Sequence, residues 1–313
     1  MLGTTRHPDY PLILMNNRDE YFKRPTKLAL FEDVPTNPGH RILAPLDEAR
    51  PEQGTWVGVL TDGRVAVLLN YREGDTRNLQ GKMLRGVLPI DYLSAGLSDP
   101  EWQQQLQNRH ALNGSKIDLE DIGGFTFVYG KVSLDPTTKQ VKPLSVLTNR
   151  GELGQILKGD LSDPHFEISH KKTFGISNSL YYEPWRKVEI GEVLVDKLID
   201  TAMKNEYDEK ALVDGCIDVL STNTYDSDIQ KYGGWFAKVQ ELQNLVFIPP
   251  LDTQAEEHTF VLGKYYGTRT QTVILIDRGG NLHYYEKDLH SSDDLEKPPV
   301  MRHYTFKINL DEN

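Results

Sequence analysis

Cysteine is almost missing from this sequence: Cys216 is the only one in 313 residues. A lone thiol closes no intrachain disulfide, so the chain is not built for an oxidising compartment. Asn113-Gly114-Ser115 matches a glycosylation acceptor, but without secretion that tripeptide carries no meaning. Long apolar runs are missing too, and no stretch approaches the roughly 18 residues of a membrane span. The opening residues, Met1-Leu2-Gly3-Thr4-Thr5-Arg6-His7-Pro8, hold neither the apolar centre of a signal peptide nor the pattern of a mitochondrial presequence. These absences point to the cytoplasm.

Positive charge is scarce. Lys and Arg total 35 against 46 Asp and Glu, a net charge of -11. Such a surface repels phosphate backbones, which argues against a nucleic-acid partner. Several catalytic signatures are absent as well. Gly81-Lys82 lacks the upstream glycine and following hydroxyl of a phosphate loop, and no Gly-x-Ser-x-Gly elbow occurs. The nine histidines show no metal-ligand spacing: His165 and His170 are five apart on no evident helix, so no metal is expected. Cys216 stands in an apolar helical pattern and reads as inert core.

What is present is the material of a mixed α/β core. Hydrophobic residues make up 38% of the chain, enough for a buried interior. Leu12 to Met15 is an apolar strand running into the polar cluster Asn16-Asn17-Arg18-Asp19-Glu20. Residues 35–54 read as a long loop punctuated by Pro and Gly. Trp56 to Leu60 and Arg64 to Leu69 flank Asp62-Gly63, a hairpin signal. Gly81 to Leu97 and Trp102 to Arg109 read as helices, Phe125 to Tyr129 and Val141 to Leu147 as paired strands, and His165 to Phe174 as irregular. Val188 to Asn205 and Asp208 to Leu220 are amphipathic helices. Strands return at Thr259 to Leu262, Thr272 to Asp277, Leu282 to Glu286 and Tyr304 to Ile308, with Asp288 to Pro299 as a mobile loop and a frayed end at 311–313. The order strands, helices, strands, helices, strands suits two sheets packed face to face with helices outside, in one domain spanning residues 1–313.

Four polar motifs sit at strand ends. Arg18 with Asp19 offers an Arg–carboxylate pair able to hold a nucleophile or a substrate carboxylate. Asn70, in Leu68-Leu69-Asn70-Tyr71-Arg72, and Asn178, in Gly175-Ile176-Ser177-Asn178-Ser179, place side-chain amides where a developing oxyanion could be held. Arg269, in Gly267-Thr268-Arg269-Thr270, suits an anion. These strand tips are expected to meet around one cavity.

Read together, Asn17-Arg18-Asp19-Glu20 with Arg24-Pro25, Gly54-Thr55-Trp56-Val57-Gly58, Asn70-Tyr71-Arg72, Gly175 to Ser179 with Pro184-Trp185, and Gly267 to Thr270 resemble, in order, the landmarks of the NRDE family of transport and Golgi organisation proteins, in its fungal form. The resemblance implies a four-layer αββα sandwich similar to the N-terminal nucleophile hydrolases. It implies Arg18, Asp19, Asn70, Asn178 and Arg269 as counterparts of the groups around an amidase nucleophile. It also implies a ligand site drawing on Asn17, Arg18, Glu20, Trp56, Tyr71, Arg72, Asn178 and Arg269. Family members begin Met-Cys, whereas this sequence begins Met1-Leu2. Two alternatives follow: a cysteine lies upstream of Met1 and the protein is an amidase or thioesterase, or the pocket serves binding alone. The binding alternative implies Golgi organisation, protein secretion, and haem or acyl-lipid trafficking, with peripheral visits to Golgi or mitochondria. Haem enters only as cargo, since no histidine stands out as an axial ligand. A scaffold that recruits a partner through exposed aromatics is the third reading.

Overall fold

The apolar run Leu12-Ile13-Leu14-Met15 shows how the layers are built. Successive strand residues point to opposite faces, so an unbroken apolar run requires cover on both sides. In the computed structural model, which describes residues 1–72, 83–110, 114, 116–253 and 263–311, that cover exists. Leu12 and Leu14 enter one core cluster, Ile13 and Met15 another.

The chain opens with β1 (Leu2–Thr4), β2 (Leu12–Tyr21), β3 (Thr26–Asp33), β4 (Arg41–Asp47), β5 (Val57–Leu60) and β6 (Arg64–Asn70). Two helices follow, α1 (Val87–Ser94) and α2 (Asp99–Gln105), then β7 (Phe125–Lys131), β8 (Leu144–Thr148) and β9 (Gly154–Ile156). After the short α3 (Phe166–Ser169) and β10 (Thr173–Gly175) come α4 (Arg186–Lys204), α5 (Glu209–Leu220), α6 (Ser227–Tyr232) and α7 (Trp235–Glu241). Four strands close the chain: β11 (Leu251–Asp252), β12 (Tyr265–Ile276), β13 (Asn281–Asp288) and β14 (Val300–Lys307).

Two seven-stranded sheets result. The first has the order β10-β1-β2-β12-β13-β14 with β11 added on β12; the second runs β3 to β9 in chain order. Every pairing between these strands is antiparallel. Leu12, Leu14, Val57, Val67, Val128 and Ile274 belong to the core between the sheets. Ile13, Met15, Val273 and Leu275 pack under α4 and α5, while Leu60, Ala66 and Phe127 pack under α1 and α2. The four-layer αββα sandwich is therefore the fold.

Several local expectations are corrected. Residues 35–54 contain β4, because Ile42, Leu43 and Ala44 are buried and pair with β3 and β5. The first helix is shorter, starting at Val87. The second begins earlier, at Asp99, behind a capping box of Ser98 and Glu101. The irregular stretch after His165 holds α3 and β10. Val141 makes only an isolated bridge to Leu134, and the ladder with β7 starts later in the chain. Within residues 288–299, Asp293 is anchored: its carboxylate accepts the backbone N–H of Lys264 at 3.0 Å and pairs with Lys23 at 2.9 Å. Residues 81–82, 113, 115, 259–262 and 312–313 lie outside the described residues.

Candidate functional site

At one end of the sandwich, the tips of β2 and β6 and the segment after β10 enclose a cavity of about 480 Å³. Its wall includes Asn16 to Glu20, Arg24, Asp47, Arg50, Trp56, Asn70, Arg85, Asn178 and Lys187. Met1 and Leu2 also line it, and the Met1 nitrogen donates to the Ile176 carbonyl at 2.9 Å.

Arg18 is the best-held charge in this wall. Its guanidinium lies 3.9 Å over the Trp56 ring, a cation–π geometry. It donates to Thr26 Oγ1 at 2.9 Å and to Asp47 Oδ2 at 3.2 Å. Burial pushes it down to about 10, opposed by the neighbouring Glu20 and Asp47 carboxylates. Arg24 reaches the same Asp47 oxygen at 2.7 Å and Glu20 at 3.5 Å. Despite burial, these two acids hold Arg24 above its ordinary value. The expected pairing of Arg18 with Asp19 does not occur. Adjacent strand residues diverge, and Asp19 instead accepts from Thr268 Oγ1 at 2.7 Å.

Asn178 clasps the two sheets together. Its side-chain amide donates to the Asn70 carbonyl at 2.8 Å, and its own carbonyl accepts from the Arg72 N–H at 2.9 Å. Its Oδ1 accepts from Lys187 Nζ at 3.1 Å. Asn17 is also committed structurally, donating to the carbonyls of Leu220 and Val246 at 2.8 Å each. It thereby ties β2 to the last residue of α5.

Three expected site residues lie elsewhere. Tyr71 and Arg72 are not among the described lining residues: the Tyr71 N–H donates to Gly124, and Arg72 reaches the Val239 carbonyl at 2.7 Å. Arg269 stands behind the wall. The β2–β12 ladder slips between Thr268 and Thr270, leaving Arg269 as the extra residue of a bulge, and bulges re-aim side chains. Its guanidinium donates to the Arg24 carbonyl, and burial pushes it below its usual value.

Lys187 was not anticipated. It stands in the first turn of α4, where a cation opposes the helix dipole, and that unfavourable placement is the sequence signal. Burial lowers its ammonium, with Asp19 pulling the other way.

Residues 1–291 match the family described as Transport and Golgi organisation 2. The chain belongs to that family. The human Transport and Golgi organization protein 2 homolog is 28% identical over 289 residues, covering 91% of this chain and 88% of its own. The Drosophila melanogaster Transport and Golgi organization protein 2 is 25% identical over 301 residues, with the same two coverages of 91% and 88%. An uncharacterized Saccharomyces cerevisiae protein is 28% identical over 327 residues, 98% of this chain and 99% of that one. Among solved structures, two variants of conjugated bile acid hydrolase from Clostridium perfringens align at 11% and 12% identity with TM-scores of 0.37 and 0.39. They cover 99% and 100% of this chain, and 97% and 99% of their own. Likeness this slight leaves the hydrolases' chemistry with the hydrolases. In this Transport and Golgi organisation 2 chain, the landmarks Asn17 to Glu20, Trp56, Asn70 and Asn178 all border the cavity.

Proposed function

We propose that this protein is an intracellular binding factor supporting Golgi organisation and secretion, holding a small anion with an apolar body in the cavity. The charge of the wall carries this reading. In a chain of net charge -11, the described lining residues include five cations, Arg18, Arg24, Arg50, Arg85 and Lys187, against three acids, Asp19, Glu20 and Asp47. Trp56, Leu68, Leu69 and Met83 add apolar surface. A carboxylate or phosphate head with an acyl or ring body complements both features. The volume falls within the roughly 300–1,000 Å³ of small-molecule sites. No histidine is among the described lining residues, so haem would be carried by its propionates and ring face rather than through iron.

Titrating the protein with a fluorescent long-chain acyl anion, and separately with haem, tests the reading. Arg18→Ala is expected to weaken binding by about 10- to 100-fold, the worth of a charge-assisted contact. Thermal melts run alongside establish that the variant folds. Equal affinity in the variant, or no binding of any probe to the unaltered protein, would sink the reading.

One observation favours a second reading, an amidase or thioesterase: β1 starts at the cavity, with Met1 and Leu2 in its wall. Neither side chain is a nucleophile, so this chemistry needs a cysteine upstream of Met1. Intact-mass measurement on protein from its native source decides the matter. A chain starting with cysteine and labelled there by an acyl thiol probe supports hydrolysis; one starting at Met1 or Leu2 removes it.

A further inference from the structure

Outside the cavity, two histidines and a carboxylate converge on the helix-covered face of the first sheet. His283 on β13 lies opposite Thr305 on β14, and Tyr285 lies opposite His303. His283 and His303 are therefore diagonal neighbours on one face, their rings near parallel with centroids 5.9 Å apart. Glu209, the first residue of α5, is set over them, with its Oε1 at 3.0 Å from His283 Nδ1. One ligating atom from each of Glu209, His283 and His303 lies within 4.8 Å of the others. None of the three borders the cavity.

We propose that Glu209, His283 and His303 bind a divalent transition metal ion of the zinc class. Two imidazoles and one carboxylate form a nitrogen–oxygen set that suits Zn2+ and its late first-row neighbours better than Mg2+ or Ca2+. Metal–ligand bonds of about 2.0–2.1 Å in a tetrahedron put ligand atoms about 3.3 Å apart. The Glu209–His283 pair, at 3.0 Å, is already near that spacing, and the ligating atom of His303 lies within 4.8 Å of both. A fourth position stays open to water.

The surroundings have the character of an outer ligand shell, which orients ligands in metal sites. Tyr285 and Tyr10 both donate to Glu209, Tyr10 at 3.3 Å. Inside that shell, beside the ring nitrogens that face the site, the Thr305 hydroxyl sits 3.0 Å from His303 Nε2 and 3.4 Å from His283 Nδ1. The Tyr285 ring stacks on His303 at 4.0 Å, fixing the imidazole plane.

The test uses the untagged full chain stripped with EDTA. Zn2+ is titrated against a chromophoric chelator, and Co2+ is followed by its visible absorption. One equivalent of either ion is expected to bind, with Mg2+ unable to compete. His303→Gln and His283→Gln should each weaken binding at least ~10-fold, and Tyr285→Phe should weaken it less. His303 is exposed, so its variant should melt like the parent in EDTA. Arg18→Ala, in the cavity, should bind the ion unchanged. Absence of stoichiometric binding, or histidine variants that bind as tightly as the parent, would overturn the proposal.

Discussion

Glu286 is a carboxyl group in the wrong solvent. It is fully buried on β13, with Oε1 accepting the Ala29 N–H at 2.9 Å and Oε2 finding no partner among the described residues. Burial pushes it from 4.5 up to about 7, against the pull of Arg302 and Arg18. Because the folded value is the higher one, no penalty exists below pH 4.5. Stability falls as pH rises from there toward 7, and the full cost, up to about 3 kcal/mol, persists above. Glu286→Gln keeps the bond to Ala29 and discards the charge. Denaturant unfolding should show the variant more stable than the parent at pH 8 and equal to it near pH 4. At this scale the sequence was partly legible. Arg18, Asn70 and Asn178 stand out because apolar strands run straight into polar residues. Arg269 misled, because a bulge in the ladder redirects its side chain and no residue spacing reveals a bulge. The partner of Arg18 was missed for a similar reason, since Asp47 arrives on β4 inside a segment that reads as loop.

At the scale of elements, the cavity wall depends on two backbones crossing at van der Waals distance. A Cβ at Gly54 would lie 2.5 Å from the carbonyl carbon of Gly86. The Thr55 N–H donates to the Gly86 carbonyl at 3.0 Å, and the Asp47 N–H to that of Gly54 at 2.7 Å. This crossing fixes Trp56, the ring beneath Arg18, against the strand that carries Asp47. Gly54→Ala forces the two backbones apart and should destabilise the fold by about 1–3 kcal/mol, the usual cost of overpacking. Chemical unfolding measures the loss, which should be accompanied by weaker acyl-anion binding. A glycine can be seen in a sequence, but what it admits cannot. The long helices α4 and α5 were readable from their apolar periodicity. The strands β3 and β4 were not, because charged residues and Pro interrupt their patterns. The cluster of Glu209, His283 and His303 was invisible to spacing rules, since α5 and β13 meet only through the tertiary fold.

At the scale of the whole molecule, the sandwich was readable from element order, but the route of the chain through it was not. The second sheet uses β3 to β9 in the order they are synthesised. The first sheet inserts β1 and β2 between β10 and β12, closing ladders such as Leu2 on Gly175 and Leu12 on Ile276. During synthesis the second sheet can thus assemble from neighbours already made. The first two strands must meanwhile keep their apolar sides covered until partners over a hundred residues later leave the ribosome. A fragment ending at residue 160 should therefore bind hydrophobic dyes and aggregate, and purified residues 161–313 added in excess should suppress both. A monomeric, dye-negative fragment would contradict this order of assembly. The cavity inherits the delay. Its earliest pieces, Met1, Leu2 and Asn16 to Glu20, wait for Asn178, Lys187, Leu220, Val246 and Tyr266, so a nascent chain has no complete wall until the last of these is made.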